Sequence, residues 1–520
     1  LGRNVVLHFL LIACCCFFVF FLMIRRPPKS TLFPNPTLSR PNKYQYDVQN
    51  ADSIFGLLGP IHELPEATAQ TDTFWIHNRH VPLKEKESAL DDLLAQLRKV
   101  PAFNVIIKTA EILITGYIPT TADKDKSKFD FGPMNTTFSA NHLEGFRMRV
   151  GGMTTANLNP HWFGSGYLAY GVNDRKLKYN AKLTYSVNKK KYHEGESPVN
   201  NISAIQEYDV YTPGQDFLFT SKDNMFVAWK VGEPVTMMQY IRKTMLQYQK
   251  EWLNGLTLTT WARNENNEAA GTLRYDRYDA DGTLTNLKSF TNTELGTQLR
   301  FAPGERAYNG REGKNSLFNL SKDAPVFKLS HQMGLKNVLG SDFNYNHTEI
   351  SAEKRIWLSS FGHIDALVTA GKVWDKVPFP LLIMPNTNQS ITIQPQAFNM
   401  MRALEFVSDQ YVSFYFTYYM KGWILNRIPG VKWLRLREVI SFSGFYGGLT
   451  DKNNPALDPT GLYRFPEGTS PMGRTPYLEA SVGLENIFKI LRIDYYRRLT
   501  YLDQPNIKKG GVRIALRFSF

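Results

Sequence analysis

The chain has 520 residues, of which 43% are hydrophobic, 13% aromatic and 21% charged, and its net charge is +14. This composition is too polar for a helical membrane protein, but it is compatible with several soluble domains or with one transmembrane barrel that has a polar inner face. Lys and Arg are spread along the chain, which argues against nucleic-acid binding, and the only cysteines are the consecutive Cys14, Cys15 and Cys16, which argues against a disulfide framework.

Residues 1–40 contain an almost continuous apolar run, 5–24, that is long enough to span a bilayer. Residues 11–14 fit a lipoprotein cleavage pattern, but the run continues beyond Cys14, which lipoprotein signals do not do. The stretch 20–34 resembles the translation of a sequencing adapter. We therefore expect residues 1–40 to be either foreign to the fold or a degraded signal sequence, and the chain to be truncated at its N-terminus.

Residues 41–128 are predicted to form a mixed, partly helical segment in the periplasm. Apolar residues at helical spacing indicate two short helices, which Pro101 separates. Their apolar positions are Leu90, Leu93, Leu94 and Leu97 in the first helix, and Ile106, Ile107, Ala110 and Leu113 in the second. The helices are interpreted as a packing appendage, with a cover for the barrel lumen as the alternative.

Residues 129–520 are predicted to form the barrel, because apolar and polar residues alternate repeatedly along this part of the chain. The alternating segments include 146–150, 177–187, 356–368, 412–420, 434–442 and 478–484. The predicted fold is all-β, a transmembrane antiparallel β-barrel of about 16 strands with about 14 as the second choice, preceded by the short helical segment.

The end of the chain alternates in the same way, with apolar residues at every even position from Val512 to Phe520. This pattern resembles the C-terminal targeting signal of bacterial outer-membrane barrels, while the last strand of a β-sandwich is the alternative. The residues assigned to the signal are Gly511, Ile514, Leu516, Phe518 and Phe520. We expect the last strand to pair with the first and close the barrel.

Connection lengths give an independent test, because barrel connections alternate between short inner turns and long outer loops. Counting back from the C-terminus, the stretches 502–510, 447–475 and 375–410 are predicted to lie outside. The stretches 485–490, 421–433 and 359–362 are predicted to lie inside, and 421–433 is longer than expected for an inner turn.

A polar network is predicted in the lumen, because the wet faces of the last strands carry many charges. Its predicted members are Arg402, Arg435, Arg437, Glu438, Arg492, Asp494, Arg498, Arg513 and Arg517. The network is interpreted as a rigid internal salt-bridge system, with an anion-attracting lumen or a latch for the long loop as alternatives. Glu438 has the parity of lipid-facing residues, so we expect a bulge or a position at the membrane edge, and a contact with Arg402.

Signals for catalysis and metal binding are weak. The sequence lacks a G-x-S-x-G elbow and a P-loop, so no catalytic residue and no cofactor are predicted. His331, His347 and His363 are sixteen residues apart. This spacing could place them on neighbouring strands, but separate histidines are the preferred interpretation and no metal site is predicted.

Several stretches resemble one family of proteins. They are EGFRMRVGG at 144–152, GYLAYG at 166–171, FNMM at 398–401, EFVSD at 405–409, LNRIP at 425–429, LREV at 436–439, DKNNP at 451–455, GLENIFK at 483–489 and RIDY at 492–495. The resemblance is to the C-terminal barrel of Gram-negative outer-membrane proteins that have a carboxypeptidase-regulatory-like N-terminal domain and a barrel domain of unknown function. It implies no peptidase activity, and it implies that this fragment lacks the small N-terminal domain.

That family is in turn distantly similar to outer-membrane assembly-factor and two-partner-secretion barrels, whose long sixth outer loop folds into the lumen. Residues 375–410 occupy the corresponding place, but Arg402 is not followed by the glycine of the relatives' loop motif. The resemblance implies a non-enzymatic role in outer-membrane biogenesis or export. A passive or gated pore is the second hypothesis, and a surface phospholipase is the third. The expected partners are outer-membrane lipid and the barrel assembly machinery, not nucleic acid, and the sequence does not identify a client.

Overall fold

The computed structural model describes residues 116–517 apart from 122–125, 219, 228, 232–234, 306, 310–316, 320–322 and 506, together with single residues between 100 and 112. The chain divides into two compact units, Leu1–Tyr117 and Ile118–Phe520, and the architecture below is that of the second. Residues 1–40 and 122–125, Phe518 and Phe520 lie outside the described residues, as do the named apolar positions of both predicted helices. No helix among the described residues is long and apolar enough to cross a membrane.

In the unit Ile118–Phe520 the described regular structure consists of β-strands and short 3-10 helices. The strands are β1 (Ile118–Pro119), β2 (Phe129–Phe131), β3 (Phe138–Asn141), β4 (Gly145–Thr154), β5 (Trp162–Gly171), β6 (Leu177–Ser186), β7 (Asn200–Tyr211), β8 (Met237–Glu251), β9 (Leu256–Gly271), β10 (Tyr275–Tyr278), β11 (Leu284–Leu287), β12 (Ser289–Phe301), β13 (Ala307–Asn309), β14 (Leu317–Asn319), β15 (Val326–Gly334), β16 (Tyr345–Trp357), β17 (His363–Val373), β18 (Phe406–Val407), β19 (Gln410–Tyr419), β20 (Arg437–Gly448), β21 (Ser470–Pro471), β22 (Tyr477–Ile487), β23 (Leu491–Arg498) and β24 (Gly510–Leu516). The 3-10 helices are Met134–Thr136, Ser359–Phe361, Phe379–Leu381, Leu425–Arg427, Val431–Leu434 and Asp451–Asn453.

One 18-stranded sheet forms the barrel wall. From β4 to β24 each long strand pairs antiparallel with the next, and the short pairs β10–β11, β13–β14 and β18–β21 belong to the connections. β2 and β3 share one position beside β4, and the two-residue β1 lies outside β2. The wall therefore has sixteen positions, fifteen long strands and the one that β2 and β3 share. The predicted fold class, an antiparallel barrel of about 16 strands, is confirmed.

The outer face of the wall is apolar because the sequence alternates. In β4, Phe146, Met148 and Val150 are 49%, 50% and 66% exposed, whereas Arg147 between them is fully buried. The same alternation places Val482 outside and Glu479 inside in β22. An exposed apolar band around a polar interior is the arrangement that a barrel needs in lipid.

Antiparallel pairing puts successive connections at opposite ends of the wall. The loop end carries 212–236, 272–288, 374–409, 449–476 and 499–509, and the turn end carries 155–161, 252–255, 358–362 and 488–490. The connections therefore alternate in the predicted order. Two turn-end connections, 302–325 and 420–436, are longer than the others at that end.

One predicted strand start is wrong. The sequence predicts that residues 434–436 continue the alternation of β20, but the strand begins at Arg437. Gly430 has φ +87 and Arg435 lies in the left-handed region with φ +49, so the chain turns here through the 3-10 helix Val431–Leu434 instead of extending.

Candidate functional site

The lumen is filled by the connection 374–409, which we call the inner loop. It leaves β17 at the loop end, folds into the barrel and returns to β19. Its apolar side chains are buried in two clusters with the wall and with connection 449–476, and among them Phe379, Phe398 and Phe406 are at most 1% exposed. The loop is therefore packed as a core element of the barrel.

Three neighbouring strands hold this loop through charged side chains. Glu479 of β22 lies opposite Arg498 of β23, and Arg513 of β24 lies opposite Asp494 of β23. Because these positions share the inner parity of their strands, the sequence places all four side chains on the lumen face. We call Glu479, Arg498 and Arg513 the latch.

Glu479 and Arg513 bind the loop backbone. The Glu479 carboxylate accepts hydrogen bonds from the N–H of Asn399 at 2.9 Å and of Met400 at 3.0 Å. The Arg513 guanidinium donates to the carbonyl of Asn399 at 2.6 Å. Glu479 is 1% exposed, and the Tyr477 hydroxyl donates a third hydrogen bond to it at 2.9 Å. A buried carboxylate is stable only when it accepts hydrogen bonds of this kind. The backbone N–H groups of the inner loop therefore stabilise Glu479 inside the wall.

Arg498 binds a loop carboxylate directly. Its two terminal nitrogens lie 3.0 and 2.7 Å from the two oxygens of Glu405, and the exposed fractions of the two side chains are 0% and 1%. Glu405 also accepts a hydrogen bond from the N–H of Arg402 at 2.9 Å. A bidentate, fully desolvated pair fixes geometry, and removing one partner alone leaves an uncompensated buried charge.

The remaining predicted network residues lie nearer the turn end. Arg492 donates to both oxygens of Asp494 at 2.8 and 2.5 Å and to the Tyr419 hydroxyl at 3.1 Å. Arg517 lies 3.4 Å from the Glu485 carboxylate and 4.1 Å from the centre of the Tyr419 ring. These contacts join wall residues to each other and do not involve the inner loop.

Three predicted positions need correction or comment. Arg435 is exposed in the turn-end connection and does not lie on a strand, because the left-handed backbone there precedes β20. Arg437 opens β20 opposite Glu485. Glu438 is 8% exposed and accepts hydrogen bonds from the N–H of Ile424 and Leu425 in connection 420–436. It therefore lies at the strand edge, covered by that connection, and the predicted contact with Arg402 is not formed.

Sequence reasoning missed two carboxylates at this site, Glu479 of the latch and its loop counterpart Glu405. Glu479 is recognisable as an inner residue of an alternating strand, but nothing in the pattern indicates that it receives loop N–H groups. Glu405 lies within the stretch EFVSD, and no periodicity marks it. The predicted signal residues Gly511, Ile514 and Leu516 lie in β24, where Leu516 is 45% exposed.

A second buried charge cluster lies in the N-terminal part of the wall and was not predicted. Arg147 of β4 donates to both oxygens of Asp209 at 2.7 and 2.9 Å, and it contacts Glu144 at 2.9 Å and Asp223 at 3.2 Å. Lys178 of β6 lies 2.7 Å from the Glu144 carboxylate. A cavity of about 470 Å³ adjoins this cluster, and a second of about 510 Å³ lies between the wall and the inner loop.

The histidines do not form a metal site in the described part of the chain. His331 lies opposite Thr348 and His347 opposite Gln332, so these two histidines are on paired strands. His363 instead stacks on Tyr419 at 4.8 Å between the ring centres. No group of three metal-binding side chains occurs among the described residues.

The free edge of β24 is occupied by the inner loop. The N–H of Ile514 donates to the carbonyl of Ile391 at 2.9 Å, and the N–H of Ile393 donates to the carbonyl of Ile514 at 2.8 Å. Thr392 and Ile514 thus form a parallel bridge. Among the described residues no ladder joins β24 to β2 or β3, so the expected pairing of the last strand with the first is not found there.

The same loop segment is held on its other side. The N–H of Ile391 donates to the carbonyl of Trp229 at 2.8 Å, and that of Val231 donates to the carbonyl of Gln389 at 2.8 Å. Residues 389–393 therefore lie between connection 212–236 and β24. We call the place where they meet β24 the seam.

Residues 110–453 match a family model described as "Family of unknown function (DUF5686) C-terminal domain". The chain belongs to this family. The match to the DUF5686 model includes the inner loop with Glu405, whereas β22–β24, which carry the latch, follow it. A search of curated proteins finds no match.

Similar solved structures were also found. BamA from Haemophilus ducreyi lacking POTRA domains 1–3 has a TM-score of 0.46 and 10% identity, covering 79% of this DUF5686 chain and 78% of BamA. CdiB from Escherichia coli has a TM-score of 0.41 and 10% identity, covering 80% and 71%. CdiB from Acinetobacter baumannii has a TM-score of 0.35 and 12% identity, covering 79% and 66%.

Proposed function

We propose that this protein is a non-enzymatic barrel of the bacterial outer membrane that acts in membrane biogenesis or in the export of protein or lipid. Its immediate partners are then outer-membrane lipid and the machinery that inserts barrels. The longer family members that the sequence resembles carry a carboxypeptidase-regulatory-like domain, and we propose the same domain for the complete protein.

The seam is the observation that carries this proposal. In lipid, backbone N–H and C=O groups at a strand edge have no water to bind, so they need a partner from the protein. On β24 that partner is a three-residue stretch of the protein's own loop, held by two hydrogen bonds. A strand edge satisfied by so short a segment can accept another extended chain in exchange, which is the mode of β-augmentation.

The packed lumen supports the same proposal over an open pore. The inner loop buries three phenylalanines against the wall and is held by the latch, so it occupies space that an open pore would need. A gated pore for small solutes remains the second candidate, because the cavity of about 510 Å³ is lined by polar wall residues such as Arg263, Glu265 and Glu349.

A disulfide across the seam tests the proposal. Thr392→Cys and Ile514→Cys would be introduced in a chain whose Cys14, Cys15 and Cys16 are replaced by serine, since these bridge partners are the closest residues across the seam. Cells that depend on this variant would be grown with and without reductant. The amounts of folded outer-membrane proteins and of surface lipopolysaccharide would be measured. We expect a loss under oxidising conditions that reductant reverses.

The matched control is Tyr495→Cys with Val512→Cys, a pair that lies opposite in β23 and β24 and leaves the seam free. We expect this control to function in both conditions. A seam-locked protein with full function, at complete disulfide formation, would refute exchange at the seam. Steady ion conductance of the unmodified protein in planar bilayers would favour the pore instead.

A further inference from the structure

Connection 420–436 has a composition that the latch and the seam do not explain. Between Asp409 and Glu438 the chain contains no Asp or Glu, but it contains Lys421, Arg427, Lys432, Arg435 and Arg437 together with two tryptophans. The connection lies at the turn end, where most neighbouring connections are short. So basic a stretch needs a counter-charge from elsewhere.

The apolar side chains of this connection point away from the barrel core. Trp433 is 81% exposed, Leu434 63% and Ile424 48%. Exposed side chains of this size are unfavourable in water, and several of them together mark a contact surface. The two 3-10 helices Leu425–Arg427 and Val431–Leu434, joined through Gly430, hold them in place.

Two neighbouring turns extend this surface. The Trp423 ring packs edge-on against Phe361 with 5.2 Å between centres, and the Lys421 ammonium lies 4.4 Å from the Trp357 ring centre. On the other side, the Asn486 amide donates to the carbonyl of Arg435 at 2.6 Å, which links the turn that exposes 86% of Phe488. We call residues 420–436 with these two turns the basic aromatic surface.

The basic aromatic surface continues the lipid-facing band of the wall. Ile440 and Phe442 follow it on the outer face of β20, and Val482 and Leu484 lie on the outer face of β22 beside them. An apolar surface that continues directly into the membrane-facing band lies at the level of the lipid headgroups. Tryptophan and long cationic side chains are enriched at that level.

The four exposed cations have no carboxylate partner within the described part of the chain. Lys421, Arg427, Lys432 and Arg435 form no salt bridge with any described residue. The nearest carboxylate in sequence, Glu438, is buried and accepts hydrogen bonds from backbone N–H groups. Their charges are therefore available to an external anion.

We propose that the basic aromatic surface binds anionic phospholipid headgroups of the leaflet at the turn end of the barrel. The aromatic and aliphatic side chains enter the interface beside the acyl chains, and the four cations bind the phosphate groups. A phospholipid offers a phosphate to the cations and acyl chains to the apolar side chains of this surface. The membrane already contacts the lipid-facing band into which the surface continues. The proposal does not depend on exchange at the seam.

Lipid binding to the full-length protein would test this proposal. The protein in detergent would be titrated with phosphatidylglycerol or with phosphatidylcholine, and bound lipids would be counted by native mass spectrometry. We expect phosphatidylglycerol to bind at least about tenfold more tightly, since four cations face an anionic headgroup. The preference should fall as salt is raised, because the cations are exposed.

The informative variant replaces Lys421, Arg427, Lys432 and Arg435 with glutamine, and we expect its preference to fall to the phosphatidylcholine level. Its matched control replaces four exposed loop-end cations with glutamine, Arg464, Arg474, Lys508 and Lys509, which changes the net charge equally. The control should keep the preference. Heat-modifiable gel mobility would verify that each variant is folded.

Equal binding of the two lipids by the parent protein would overturn the proposal and leave the surface to a protein partner. The proposal would also fail if the turn-end variant kept the preference, or if the loop-end control lost it to the same extent, because net charge would then be responsible.

Discussion

The Arg498–Glu405 pair is predicted to control how often the inner loop leaves the lumen. Replacing Arg498 with methionine keeps the length of the side chain and removes its charge, so Glu405 stays buried without its cation. Both side chains are at most 1% exposed, so solvent screening does not weaken the pair. Breaking such a pair costs about 3–5 kcal/mol. The ratio of released to latched loop should therefore rise by about 10² to 10⁴.

A buried cysteine in the inner loop would report this ratio. Ser408 is fully buried in the loop, so Ser408→Cys, in a chain without Cys14, Cys15 and Cys16, reacts with a membrane-impermeant maleimide only when the loop opens. The labelling rate should rise by the same factor in the Arg498→Met background. Adding Glu405→Gln to Arg498→Met should lower the labelling rate again in part, because the double variant has no uncompensated carboxylate.

The matched control is Arg492→Met, which breaks a buried ion pair with Asp494 of the same wall strand, β23. It should destabilise the barrel without increasing the maleimide labelling of the loop cysteine. The reasoning would be refuted if Arg498→Met raised the rate less than about tenfold, or if Arg492→Met raised it equally.

Three further substitutions follow from the described contacts. Glu479→Gln weakens the acceptor for two loop N–H groups and should raise the same labelling rate, corresponding to about 1–3 kcal/mol. Arg147→Leu removes the cation that Asp209 shares with neighbouring carboxylates, while Lys222 stays 2.9 Å from Asp209, and should lower the free energy of unfolding in urea by about 1–3 kcal/mol. Val482→Arg places a charge on the 65% exposed outer face of β22 and should cost about 2–4 kcal/mol in refolding into lipid bilayers.

Each substitution has a control that separates its mechanism from general damage. Ser481→Ala changes the next inner position of β22 and should leave loop labelling unchanged. Lys176→Gln breaks a half-exposed ion pair with Glu268 at 3.4 Å and should cost less than about 1 kcal/mol. Leu499→Arg, just beyond β23, should cost about 0–1 kcal/mol in the bilayer because it lies near the membrane edge. Equal effects within any pair would contradict the corresponding prediction.

The sequence alone determined the wall. Alternation with a period of two is a local property, so residues such as Phe146 and Arg147 reveal their faces without knowledge of any partner. The length of the strand-rich part indicated about 16 strands, and the connection lengths indicated a long loop after β17. The alternation predicted that β20 begins at residue 434, three residues too early. The left-handed turn at Arg435 depends on backbone conformation, which a hydrophobicity pattern does not report.

Only the tertiary structure decided which groups meet inside the wall. Glu405 and Arg498 are 93 positions apart, and Arg513 binds a loop carbonyl 114 positions away. Contacts of this kind depend on how the inner loop folds back, and no repeating pattern encodes that path. The seam has the same origin: the alternation of β24 predicts its two faces, but the partner of its edge is set by the loop that reaches it.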